Sequence, residues 1–416
     1  MKSFNPIRGT NDYLPKEAKI REQVRQIILK NYSNNGYNLI STPILENLEF
    51  LNSSEGGDNL HLIFKTIKRG EKLNLEKENL TEADIVEEGL RYDLTVPLAR
   101  FYANNREKLP TPFKSIQVDY SFRAERPQRG RERQFIQCDV DVIGDPSINA
   151  EIDLLKTALD TYQMLGFDEL TVKINNRQIL NAILVNSGFT LEEVPSVCVT
   201  LDKIDKIEIN GVVMELIEKG FDMEHINNLT NAITDIRENG IDVVIKYGAE
   251  KSVVDDLKLL INTLNELKRE QKIDIKFDIS IVRGQGYYTG TIYEVYTPGF
   301  GGAIGAGGRY DKMIGKFSGL DACAVGMSMG FEPICMLIKE RGITFGDKEN
   351  LALLYEPTDE LIEVYKTKEK LMKDYNVSLF LKPKNMRAFY EKITAVADCV
   401  TTFKDQKEGK EIKKLN

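Results

Sequence analysis

The chain has 416 residues, 42% of them hydrophobic and 29% charged, and a formal net charge of −8 at neutral pH. That is the profile of a soluble globular protein of two or three domains. No apolar run reaches the roughly 18 residues of a membrane span, and the start MKSFNPIRGT has no signal-peptide core, so no membrane partner is expected. Five scattered cysteines without a CxxC pair, and His61 and His225 as the only histidines, argue against a Cys/His zinc site and against Ser-His or Cys-His catalysis. Reduced cysteines point to the cytoplasm. An acidic chain that binds nucleic acid must do so through a local patch.

In chain order, residues 16–36 have helical spacing (Ile20, Val24, Ile27, Ile28, Tyr32) and end at Gly36. YNLISTPILEN reads as a strand broken by Pro43. Residues 62–101 read as short strands and turns around an exposed charged hairpin, KRGEKLNLEKENLTEADIVEE. In RYDLTVPLARF, 91–101, the period of two predicts that Arg91, Asp93 and Thr95 share one strand face, where an aspartate beside a hydroxyl suits an ammonium group.

The segment FRAERPQRGRERQF, 122–135, packs Arg123, Arg126, Arg129, Arg131 and Arg133 into eleven residues of this acidic chain. Guanidinium forks match phosphate and carboxylate geometry, so the cluster predicts a local anionic ligand. Pro127 and Gly130 prevent one continuous helix, and the order reads strand, loop, strand. On the returning strand Gln137, Asp139 and Asp141 alternate with Ile136, Cys138, Val140 and Val142, as the floor of a polar pocket would.

A helix is expected at 149–165 and a strand at 170–175. Residues 177–270 turn to amphipathic helices, which marks a helical insertion, since strand signals resume afterwards. IVRGQGYYTGTIYEV, 281–295, sets Arg283 before two glycines and the pair Tyr287 and Tyr288. GFGGAIGAGGRYD, 299–311, is glycine-dense but lacks the dinucleotide-binding spacing. Residues 324–341 read as strand into helix, and the tail as a small α/β module of about 70 residues.

Taken in order, RGTNDYLP, STPILE, RYDLTVPLARF, FRAERPQRGRERQF, VRGQGYYTG and GGRYDKMIGKFSG closely resemble the histidyl-tRNA synthetases, class II aminoacyl-tRNA ligases, over residues 5–335. The resemblance implies an α+β fold: an antiparallel sheet flanked by helices. The catalytic core would fall in residues 1–176 and 271–342, the helical insertion in 177–270, and a shortened anticodon-binding-like α/β domain in 349–416. It also implies ATP with Mg2+, histidine and tRNA(His) as partners, and a homodimer formed through STPILE, the motif 1 segment. By motif match, Arg123 and Arg283 would hold the α-phosphate, with Arg283 also bridging to the substrate carboxylate. Glu125 would take the adenine amino group, and Arg131 would join the ATP set. Asp93 and Thr95 would bind the histidine ammonium and Gln137 would orient that end. Asp141 and Tyr288 would read the imidazole nitrogens, with Tyr287 beside them.

Three positions depart from the family pattern. Motif 3 ordinarily ends Gly-x-Glu-Arg, and GFEPI puts Pro333 where the arginine grips the ATP tail; Arg309 or another cation would have to compensate. Gly286 stands at a usually acidic position, and the tail after Glu349 is short. A relative with such losses is the histidine-sensing regulatory subunit of ATP phosphoribosyltransferase, the alternative to an active ligase.

Overall fold

A computed structural model describes residues 4–53, 61–128, 130–268, 272–282, 288–319, 322–346 and 348–415. The chain divides into two compact units, residues 1–10 with 25–337 and residues 11–24 with 338–416.

The strands of the first unit are β1 (Asn38–Leu39), β2 (Leu45–Asn47), β3 (Lys65–Ile67), β4 (Val86–Leu90), β5 (Phe113–Phe122), β6 (Gln134–Ile143), β7 (Glu169–Asn176), β8 (Lys272–Phe277), β9 (Thr291–Tyr296), β10 (Gly305–Arg309) and β11 (Ala324–Met329). Eight of them form one sheet in the order β1-β5-β6-β11-β10-β9-β7-β8. The six central strands are antiparallel, and the edges β1 and β8 are added in parallel. This is the expected α+β architecture.

The β5–β6 hairpin organises the sheet. Its ten-residue arms stay in register from Phe113↔Ile143 to Phe122↔Gln134. Along β6 the strand period of two sends Cys138, Val140 and Val142 to one face, where they are buried. The helix Asn149–Met164 contacts both β6 and β11, and buries Leu154, Leu155, Ala158, Leu159 and Tyr162. Gln137, Asp139 and Asp141 take the opposite face of β6 and are buried too, although all three are polar. A polar row on a central strand must be satisfied by partners or by a ligand.

β2, β4 and β3 form a separate antiparallel sheet, with the charged segment between β3 and β4 exposed as expected. Between β7 and β8 the chain is helical: Arg177–Asn186, Val194–Leu201, Ile204–Glu218, Met223–Asn239 and Lys251–Leu267.

The second unit carries β12 (Asn350–Tyr355), β13 (Asn376–Leu381), β14 (Cys399–Thr402) and β15 (Lys413–Lys414) in the order β13-β12-β14-β15. β12 pairs in parallel with both neighbours. Ala352 and Leu354 pack with Ile393 and Val400, while Leu353 packs with Val364 and Phe403. The alternation along β12 thus buries both faces, as a parallel strand between helices requires.

One expected element is corrected. Asp93 and Thr95 do not share a strand face, because Thr95–Asn105 is a helix. Asp93 Oδ1 accepts the backbone N–H groups of Thr95 and Val96, both at 3.2 Å. That satisfies two of the amides a helix start leaves without partners. Pro97 is tolerated in this first turn, where its missing N–H costs nothing. Arg91 is fully buried and ties the motif 1 segment to the hairpin. It donates from Nε to the Tyr120 carbonyl at 2.8 Å and from Nη1 to the Thr42 carbonyl at 2.7 Å, and pairs with Asp119 at 2.9 Å.

Candidate active site

A cavity of about 470 Å³ opens over β6, β11 and β10. It gathers Asp93, Thr95, Arg123, Glu125, Arg131, Gln137, Asp141 and Tyr288, segments up to about 195 residues apart in sequence. Those are the expected site residues that fall within the described part of the chain. Arg283 and Tyr287 lie outside the described residues.

The floor is acidic. Asp93, Asp139 and Asp141 are each buried and line the same cavity. Burial raises all three carboxyl pKa values above the ordinary range. Asp139 is pushed up to about 7, first by burial and then by the Asp93 charge, against a Ser328 hydrogen bond and the Arg123 and Arg91 charges that lower it. Asp141 is raised by burial and by Asp139, while the Tyr310 hydroxyl lowers it. Three desolvated carboxyls in one cavity are stabilised most by an incoming cation.

Backbone geometry places these groups. Asp141 stands opposite Gly326 on β11, and Asp139 opposite Ser328. A Cβ at position 326 would sit 2.0 Å from Asp141 Oδ1, so only glycine lets that carboxylate lie over the neighbouring strand. The Tyr310 hydroxyl donates to Asp141 Oδ1 at 2.5 Å. Gly308 makes room for Tyr288, whose Cδ1 would be 2.9 Å from a Cβ there. Within the glycine-dense segment, Gly308 thus leaves the floor open beneath Tyr288.

The cationic side is the arginine loop. Arg123 follows the last residue of β5, and its backbone N–H still bonds the Arg133 carbonyl at 2.9 Å. Its Nε donates to the Tyr92 carbonyl at 3.0 Å, and its guanidinium lies 5.0 Å over the Phe135 ring. The loop closes where Gln128 and Arg131 exchange backbone hydrogen bonds at 3.0 and 2.9 Å. Arg133 braces it, with Nε on the Glu125 carbonyl at 3.1 Å and its backbone N–H on the Gly9 carbonyl at 2.7 Å. That contact gives RGTNDYLP a structural use. Arg131 is exposed, with Nη1 at 3.9 Å from a Glu125 oxygen.

The motif 3 end meets this loop. A Cβ on Gly130 would lie 3.6 Å from Phe300 and 3.8 Å from Pro333. Pro333 is the third residue of the helix Phe331–Arg341, where no intrahelical N–H is lost. Glu332 lines the cavity, and its Oε1 accepts the Ile136 N–H at 3.0 Å. Arg309 does not stand in for the missing arginine: it is absent from the cavity lining and is bound to Glu151, Asp145 and Ser147. Its guanidinium is committed to the buried Glu151 carboxylate.

Three participants escaped the sequence reading of the site: Tyr310, Ser328 and Glu332. Asp139 lines the cavity as the period-two reading of the polar floor expected, although the motif match gave it no ligand role. Tyr310 and Ser328 depend on strand pairing that no local pattern specifies. Among the described lining residues six carboxylates (Asp93, Glu125, Glu132, Asp139, Asp141, Glu332) face two guanidiniums (Arg123, Arg131). Among the described residues no group of three or more His, Cys, Asp or Glu side chains is arranged to hold a metal ion. No described helix is long and apolar enough to cross a membrane.

Comparison with known proteins adds the following. Residues 9–334 match the family model described as histidyl-tRNA synthetase. The histidine–tRNA ligase of Leifsonia xyli subsp. xyli is 36% identical over 405 residues, 94% of this chain and 93% of that protein. The probable histidine–tRNA ligase of Tropheryma whipplei is 38% identical over 368 residues, 85% and 84% of the two chains. A histidyl-tRNA synthetase structure from Nostoc sp. PCC 7120 has a TM-score of 0.74 at 22% identity, covering 96% of this chain and 91% of that one. A Bacillus halodurans structure described as an ATP phosphoribosyltransferase regulatory subunit/histidyl-tRNA synthetase has a TM-score of 0.75 at 20% identity, covering 96% and 97%. At those identities the two structures speak for the fold.

Proposed function

Since this chain belongs to the histidyl-tRNA synthetase family, we propose that it is an ATP-dependent histidine–tRNA ligase working in the cavity over β6. The observation that carries this reading is the charge layout: three buried carboxyls on the floor and the Arg123 guanidinium at the rim of one 470 Å³ space. A histidine ammonium and imidazole suit the floor, and a phosphate suits the rim.

In the first step a histidine carboxylate oxygen attacks the α-phosphorus of ATP. The new P–O bond forms as the bond to the β-phosphate bridging oxygen breaks, and pyrophosphate leaves. In the second, a ribose hydroxyl at the tRNA 3′ end attacks the acyl carbon and AMP leaves. Arg123 neutralises charge on the α-phosphate as it develops, with its guanidinium already anchored on the Tyr92 carbonyl. By motif match, Arg283 of the VRG segment would share that role. Glu125 takes the adenine amino group and Arg131 contributes a loop cation to ATP. Asp93, Thr95 and Gln137 hold the ammonium end. Asp141 and Tyr288 read the imidazole, and a site that bonds both nitrogens rejects isosteres by leaving buried groups unpaired.

Mg2+ fits as a companion of ATP, because it is held by one or two carboxylates plus phosphates, and Glu132 and Glu332 line the cavity. It would shield charge on the phosphates. We assign residues 177–270 as an insertion between the halves of the catalytic core, 1–176 and 271–342, with 349–416 as a separate domain. A homodimer through the motif 1 segment is supported by the exposed Ile44 and Leu45 there and by Leu39 just before it. Charging of a tRNA(His) transcript with radiolabelled histidine tests the reading. ATP-dependent charging is expected, and histidine binding without any charging would overturn it.

Pro333 favours a second reading, a histidine sensor that regulates ATP phosphoribosyltransferase, because the change removes an ATP-tail cation. The retained Arg123 anchor opposes it, as a sensor has no use for an α-phosphate clamp.

A further inference from the structure

Within the cavity one buried acceptor has no partner. Gln137 Oε1 makes no hydrogen bond, although the side chain is buried. Its other end is engaged: Nε2 lies 3.4 Å from both Asp139 Oδ1 and Asp139 Oδ2. The two residues are neighbours on one face of β6, and the backbone of Asp139 is held by its pairing with Ser328.

A carboxamide can present either end, and only its hydrogen-bond network decides which. Turned over, Gln137 would set its oxygen against the Asp139 carboxyl, whose ionised form offers acceptors alone. With Nε2 toward Asp139, Oε1 is left as the bare, buried acceptor of a side chain that lines the cavity, and its desolvation cost is relieved by an N–H donor. A cation is the donor that also suits the surrounding Asp93 and Asp141.

We propose that Asp139 is a positioning residue, which fixes the Gln137 carboxamide so that Oε1 accepts a hydrogen bond from the α-ammonium of the bound amino acid. Asp139 acts through Gln137 rather than on the ligand. The inference rests on the histidine-binding reading of the site and adds a residue to it.

A double-mutant cycle tests this, with histidine binding to the full-length protein measured by titration calorimetry. Asp139→Ala weakens binding about 10-fold in the wild-type background and less than twofold in a Gln137→Ala background. Asp139→Asn, which keeps an acceptor for Nε2, stays within about threefold of wild type. Should Asp139→Ala fail to fold, Asp139→Ser takes its place in the cycle. Imidazole propionate, which lacks the ammonium, loses less than twofold with Asp139→Ala. Additive losses in the cycle, an equal loss for imidazole propionate, or an Asn variant as weak as the Ala variant would each overturn the proposal, as would a wild-type protein that does not bind histidine. Histidine binding with a coupled cycle but no pyrophosphate exchange would retire the ligase reading and leave the positioning role standing.

Discussion

Arg309 and Glu151 form a two-point buried ion pair, Nε to Oε1 at 2.7 Å and Nη2 to Oε2 at 2.5 Å. The guanidinium also reaches the Asp145 carbonyl at 3.2 Å and the Ser147 carbonyl at 3.1 Å. It is a brace between β10 and the start of the helix Asn149–Met164. Arg309→Ala should cost about 3–5 kcal/mol of stability, because it strands a buried carboxylate. A urea melt reads that loss. The KM for ATP of the folded protein should stay within twofold; a raised KM with unchanged stability would make Arg309 a nucleotide ligand instead.

On the proposed ligase reading, with Arg309 committed elsewhere, Pro333 leaves the ATP tail short of one cation. Pro333→Arg should lower the KM for ATP about 10-fold, in line with the ~1.5–3 kcal/mol of a charge-assisted hydrogen bond less the ordering of a long side chain. The helix tolerates the change, since position three has no intrahelical N–H to restore. Unchanged ATP affinity would mean the site has been rebuilt around the proline.

Arg123→Ala should reduce histidine-dependent adenylation by a factor of about 10³ or more, as loss of a preorganised charge contact does. Histidine affinity measured by calorimetry should change by less than about threefold. Equal loss of both would contradict the assignment of Arg123 to the phosphate.

The acidic floor sets a pH dependence. Asp139 is pushed up to about 7 in the folded state, chiefly by burial, against about 3.9 for an unfolded aspartate. Between those values the folded protein holds the extra proton, so its contribution to stability is full below about pH 4 and is lost as pH rises through about 7. Asp93 and Asp141, which face it, are shifted the same way, and Arg123 and Arg91 oppose the shift of Asp139. Asp139→Asn should flatten the fall of the melting temperature between pH 5 and 7.5. In the wild type, the thermal shift given by saturating histidine should grow across that range, because a cationic ligand favours the ionised carboxyls. The imidazole of histidine titrates in the same window, so the difference between wild type and the Asn variant isolates the protein's part. A variant with the same slope as wild type would place the titration elsewhere.

The β5–β6 hairpin and its polar face were legible because β6 has an unbroken period of two, and because the arginine loop concentrates charge between two strands; the fold class and the remaining site residues came through the resemblance of the ordered motifs. The helices of 177–270 and the small α/β tail follow from apolar spacing alone. The misreading of RYDLTVPLARF has a physical origin. Thr95 and Val96 are β-branched and suit a strand, and the helix begins only because Asp93 accepts their N–H groups. Ser328 could not be found locally, since its approach to Asp139 depends on the β6–β11 pairing, and Tyr310, which follows β10, reaches Asp141 across 169 positions only because β10 also pairs with β11. The engagement of Arg309 was likewise hidden, because Glu151 lies 158 residues away.

Histidine-dependent exchange of labelled pyrophosphate into ATP tests the central claim most directly. The wild-type protein should support exchange with histidine and Mg2+, and not with other amino acids. Tight histidine binding by calorimetry with exchange no higher than that of Arg123→Ala would contradict it and leave a histidine-binding protein without adenylating activity.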